Sequence, residues 1–80
     1  MPYPHQFIPP LRDEERRKIS SILADLAVKG KWQKRQRVSA VWFSGQGHTE
    51  EQISQLLKVS YRSVKKWLSI YRKGGLEALL

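Results

Sequence analysis

Apolar residues recur along this chain at steps of three and four, and four stretches carry the spacing. Ile19, Ile22, Leu23 and Leu26 follow i, i+3, i+4 and i+7, which marks one buried helical face. They predict a first helix over residues 13–29. Asp13, Glu14 and Glu15 fall in its first turn, where carboxylates suit the helix dipole, and Gly30 ends it. Val38, Val41 and Trp42 stripe a second helix over residues 32–44, broken by Gly45 and Gly47. Thr49, with Gln52 three residues on, has the pattern of a capping box. It opens a short third helix with Ile53, Leu56 and Leu57 inward, and Glu50 and Glu51 add favourable charge at its start. Ser60 is an N-cap for a fourth helix over residues 61–73, whose inner face is Val64, Trp67, Leu68 and Tyr71. Gly74 and Gly75 stop that helix, and the apolar residues 76–80 read as the start of a further segment. Aromatic residues at helical spacing belong to cores by default, and Trp32, Trp42 and Trp67 are assigned there.

No stretch alternates as a strand does, and no internal repeat is present. Residues 1–12 contain Pro2, Pro4, Pro9 and Pro10, which remove backbone donors and bar a helix. They predict an extended arm, either strapped onto a helical core by Tyr3, Phe7 and Ile8 or simply disordered. An arm entering a DNA groove is the alternative, but this one carries no Lys or Arg before Arg12. The expected fold is all-α: a bundle of about four helices over residues 13–80, behind a proline-rich arm over residues 1–12. Eighty residues suit one domain, and without cysteine neither a disulfide nor a thiolate metal site supplements the packing.

Charge sharpens the picture. Fifteen Lys and Arg against seven Asp and Glu give a net charge of +8, which favours an anionic partner. The distribution says more than the sum. Lys58, Arg62, Lys65, Lys66, Arg72 and Lys73 follow one another with no acid among them. So do Lys29, Lys31, Lys34, Arg35 and Arg37. Two acid-free basic segments in a chain this short point to a phosphate-binding surface. The carboxylates stand mostly at helix starts, where capping accounts for them. His5 sits in the arm and His48 in a turn, and neither has the partner spacing of a zinc site or an acid/base pair. No catalytic residue, cofactor, metal or small-molecule substrate is expected. No apolar run approaches the ~18 residues of a membrane span, and the N-terminus lacks the order of a secretory signal. A cytoplasmic protein without membrane attachment is expected.

Residues 50–68 have the arithmetic of a helix-turn-helix, with its core over residues 49–73. Ile53 and Leu57 face inward, Ser54 is small where two helices must approach, Val59 plugs the corner, and Val64 and Trp67 face back. The turn ordinarily takes glycine in a left-handed conformation. Lys58 stands there instead, at a cost of about 1 kcal/mol, and adds a cation beside the expected backbone of a duplex. With Val64, Trp67 and Tyr71 inward, Tyr61, Arg62, Lys65, Lys66 and Ser69 point outward at the start of the fourth helix. A recognition helix uses its N-terminal residues to reach base edges in the major groove. Arg62 has the bidentate fork that suits guanine. Lys65 and Lys66 could reach bases or phosphates, and Ser60 and Ser63 offer donors to phosphate oxygens. Lys58 and Arg72 extend this set, and Lys34, Arg35 and Arg37 form a second candidate contact with the backbone. Tyr61 is either a ring covering the helix start or a DNA contact.

The stretch over residues 13–80 resembles the N-terminal DNA-binding region of mariner-like bacterial insertion-sequence transposases. The resemblance rests on RDEERRKI at the first helix and on SGQGHTEEQISQLLKVSYRSVKKWLSIYRKGGLEALL. Lys58 and Ser54 depart from the usual glycine and alanine. The resemblance implies a homeodomain-like fold that binds transposon-end DNA. A second helical unit and an Asp/Glu nuclease domain follow in such proteins and lie outside these residues, so strand cleavage is not carried over.

Three functions are open at this point. The first is sequence-specific binding of double-stranded DNA as part of a transposase system. The second is an autonomous transcriptional regulator with the same module, and the third is a basic helical surface for acidic proteins or membranes. A lone module of this size buries roughly 600–1,000 Å² on DNA, so a homodimer is among the expected assemblies. The tail over residues 76–80 is left with two readings, a dimerisation element or the cut end of something longer.

Overall fold

A computed structural model describes residues 11–80 as four helices in chain order: α1 (Asp13–Val28), α2 (Trp32–Gly45), α3 (Glu50–Leu57) and α4 (Tyr61–Leu79). There is no strand among the described residues. The arm expected over residues 1–12, with Tyr3, His5, Phe7 and Ile8, lies outside the described residues except for Leu11 and Arg12.

Three helices end in the same way. Beyond α1, the Lys31 N–H donates to Leu26 O at 2.9 Å and the Gly30 N–H to Ala27 O at 3.2 Å. Beyond α2, the His48 N–H donates to Phe43 O at 3.1 Å and the Gly47 N–H to Ser44 O at 3.0 Å. Both turns need a left-handed residue, which glycine supplies without a Cβ clash: Gly30 has φ 70° and Gly47 φ 96°. Beyond α3, the Val59 N–H donates to Ser54 O at 3.0 Å, and the left-handed residue is Lys58 at φ 56°, ψ 44°. The expected strained lysine is therefore present. It is the one non-glycine residue at positive φ among the described residues.

The core draws on every helix: Ile19 and Leu26 from α1; Val38, Ala40 and Val41 from α2; Ile53 from α3; Val64 and Leu68 from α4. α2 packs against each of the other three, and its small buried Ser39, Ala40 and Ser44 permit close approach on that side. The expected inner faces of α1 and α4 are present. Ile22, Leu23, Trp67 and Tyr71 are half-buried against the central cluster, as are Trp42, Leu57 and Val59. α1 reaches α4 through Tyr71, whose hydroxyl donates to Glu15 Oε2 at 3.3 Å. Leu11 lies over Gly45 and packs on the core.

Two apolar residues expected inside stand at the surface. Leu56 is 53% exposed rather than inward. α3 has only about two turns, Ile53 and Leu57 fill its inward stripe, and α1 packs on α2 rather than across Leu56. Trp32 is 62% exposed rather than core. It stands nine residues before Val41, about two and a half helical turns, and so on the opposite side of α2.

The tail packs on the core of its own bundle. Gly75, at φ 72°, ψ −167°, breaks α4 where a stop was expected. The turn beyond it folds back: Leu79 is 1% exposed in the core and Leu76 is half-buried against it. Arg37 Nη1 donates to Leu79 O at 3.3 Å and ties the turn to α2.

Candidate nucleic-acid interface

The corner between α3 and α4 is fixed by local chemistry at each end. At the start of α3, the Gln52 N–H donates to Thr49 Oγ1 at 3.0 Å and the Thr49 N–H to Gln52 Oε1 at 2.9 Å, the full reciprocal box. At the end of α3, Gln36 Nε2 donates to Leu57 O at 3.4 Å, which ties α2 to the corner. At the start of α4, the Ser63 N–H donates to Ser60 Oγ at 3.1 Å, and the two hydroxyls share a hydrogen bond at 2.9 Å. Ser60 and Ser63 thus hold the helix start first, and both hydroxyls are already engaged. Ser54 donates from Oγ to Glu51 O at 2.7 Å, inside its own helix.

With Val64 and Leu68 at zero exposure, the other side of α4 is forced outward. Tyr61, Arg62, Lys65, Lys66 and Ser69 line one open surface depression there. These are the same five residues that the hydrophobic spacing turns outward. No carboxylate among the described residues pairs with Arg62, Lys65 or Lys66. The depression therefore offers a guanidinium and two ammonium groups on a rigid rod, fit for oxygen acceptors of a base edge or a phosphate. Lys58 is exposed at the left-handed corner just before it, and Arg72 is exposed further along α4.

Tyr61 is tied to α3 and still half open. Its hydroxyl donates to Glu50 Oε1 at 3.2 Å, while 46% of the residue stays exposed in the depression. Lys65 Nζ lies 5.5 Å from its ring centroid. The hydrogen bond to Glu50, then partial desolvation and the charges of Glu50 and Glu51, push the hydroxyl above its usual value of 10.0. It stays protonated as a donor.

The second basic segment divides between two places on the surface. Lys34 is half-buried beside an outlying depression lined by Gly30, Lys31, Trp32 and Gln33. Arg35 stacks its guanidinium 5.8 Å from the Trp32 ring, and its buried Nε has no hydrogen-bond partner. Arg37 turns the other way. It is half-buried, bonded to Leu79 O, and borders a depression shared with Lys66, Trp67 and Ile70. Of the three, only Arg37 approaches the α4 face, and its donor already serves the tail.

Glu50 brings a charge to the first turn of α3, yet it is 2% exposed. Nothing in an acidic helix start distinguishes a dipole partner from a buried anchor; its partner Tyr61 lies eleven residues away. His48 is structural: Nδ1 meets Phe43 O at 3.2 Å and the ring stands edge-on to Phe43 at 5.4 Å. Among the described residues no three His, Asp or Glu side chains are grouped to hold a metal ion, and no helix is long and apolar enough to cross a membrane.

No curated protein and no solved structure matches the chain. A family model does, that of the homeodomain-like domain, over residues 31–80, which takes in α2, α3 and α4 and leaves α1 outside. A left-handed corner, capped helices on either side of it and the match over more than half the sequence all agree: the chain belongs to the homeodomain-like helix-turn-helix family, a family of DNA-binding domains.

Proposed function

We propose that this protein binds double-stranded DNA sequence-specifically, with α4 lying in the major groove. The observation that carries the reading is the depression formed by Tyr61, Arg62, Lys65, Lys66 and Ser69, opposite the buried Val64 and Leu68. Arg62 reads a guanine through its fork. Lys65 and Lys66 hold bases or phosphates, and Lys58, Arg72 and the backbone around Ser60 and Ser63 meet the phosphates at either end. Lys34 and Arg35 supply an outlying backbone contact. The chain binds without cleaving.

The resemblance over residues 13–80 supports a narrower target, the terminal DNA of a transposable element, with the cytoplasm as the place of action. Affinity of biological use then comes from a second copy or a second DNA-binding unit, since one module covers little duplex.

Selection of bound sequences from a random duplex pool tests the reading. A single enriched motif with a guanine under Arg62 is the expected result, and its occurrence at element ends rather than at promoters supports the transposition role. Equal recovery of every duplex would contradict sequence-specific binding and favour an acidic protein partner.

A further inference from the structure

Among the described residues, Glu50 and Arg35 each bury a side-chain polar atom that has no hydrogen-bond partner. A carboxylate at a helix start is ordinarily solvated and serves the dipole, as the exposed Glu51 does. Glu50 is instead buried, with Oε1 accepting from Tyr61 and Oε2 without any hydrogen-bond partner. Burying a polar group half-satisfied is costly, and what the arrangement gains in return is the fixed position of one ring. Tyr61 has its single donor turned back into the protein. What it presents to the depression is an aromatic ring, with Lys65 5.5 Å from its centroid.

We infer that Glu50 is a positioning residue that tethers Tyr61 as an apolar reading element, and that the group its ring fits in a major groove is the 5-methyl of thymine. The inference rests on the DNA-binding reading above. Apolar side-chain contact with that methyl is one of the few ways to tell thymine from other bases without a donor. A tyrosine free to rotate would offer its hydroxyl to phosphates or base edges instead. Tethered, it discriminates by shape at one position beside the guanine under Arg62.

The test uses the selected duplex and replaces each thymine in turn with deoxyuridine, which removes only the methyl. At one position the full chain is expected to bind about 3- to 5-fold more weakly, the worth of one buried methyl-sized group. Glu50→Ala and Tyr61→Ala should both bring that ratio to about one, the first by freeing the hydroxyl and the second by removing the ring. Glu50→Gln, whose amide oxygen still accepts, should keep it. Tyr61→Ala carries the test if Glu50→Ala does not fold. A ratio near one at every thymine in the parent, or an unchanged ratio in Tyr61→Ala or in a folded Glu50→Ala, overturns the inference even if Arg62 reads its guanine. A chain that selects no duplex at all overturns the DNA-binding reading and this inference with it.

Discussion

Arg37 donates from Nη1 to the carbonyl oxygen of Leu79 at 3.3 Å, across 42 positions of sequence. One of the cations expected at a phosphate thus serves as a clasp. It holds the turn beyond Gly75 against α2, with Leu79 sealed into the core beneath.

Arg37→Ala should therefore lower stability by about 1.5–3 kcal/mol, the scale of a hydrogen bond from a charged donor. Leu79→Ala should cost about 2–5 kcal/mol through the cavity it leaves. Urea denaturation measures both. DNA affinity measured below the melting range should change far less in Arg37→Ala than in Arg62→Ala.

Lys58 sets stability against binding. Its left-handed backbone costs about 1 kcal/mol relative to glycine, so Lys58→Gly should raise the unfolding free energy by roughly that amount. The same change removes a phosphate contact, and the slope of log affinity against log salt should fall by about one. A variant that is more stable and binds with an unaltered salt slope would remove Lys58 from the interface.

The two helix-spanning tyrosines predict alkaline sensitivity. Burial, then the charge and hydrogen bond of Glu15, push the Tyr71 hydroxyl above its usual 10.0, and Tyr61 is shifted the same way by Glu50. The folded state holds these protons more tightly than the unfolded chain does. Their contribution is thus fully present below the unfolded pKa near 10 and is lost as pH rises through the folded values. Urea midpoints from about pH 8 to about pH 11 should fall more steeply in the parent than in Tyr71→Phe. Equal slopes would contradict the shift.

Much of this arrangement is legible in the residues, and for a physical reason. Helix ends depend on local chemistry, so Thr49 with Gln52, Ser60 with Ser63 and the left-handed Lys58 follow from neighbours along the chain. The outward face of α4 follows because Val64 and Leu68 leave it no other direction. What stayed hidden depends on which helix covers which. Leu56 has apolar spacing, but α1 docks on α2 and leaves it bare. Trp32 looks like core until the register of α2 sets it opposite Val41. Glu50 and Arg37 carry charges that composition assigns to the surface, yet each finds a partner eleven or more positions away.

Salt reports the footprint. A contact with ~5–7 phosphates gives a log–log slope of about −5 to −6. Lys34→Ala, at the outlying corner, should weaken every duplex alike without altering base preference. A flat salt response would argue against the basic face as the contact.

The claim that α4 reads sequence is tested most directly by the affinities of the parent and Arg62→Ala for the selected duplex and each of its single-base-pair variants. The account predicts that the parent loses about 1–3 kcal/mol at one guanine and that Arg62→Ala no longer distinguishes that position. An Arg62→Ala protein that ranks all the variants as the parent does would contradict it.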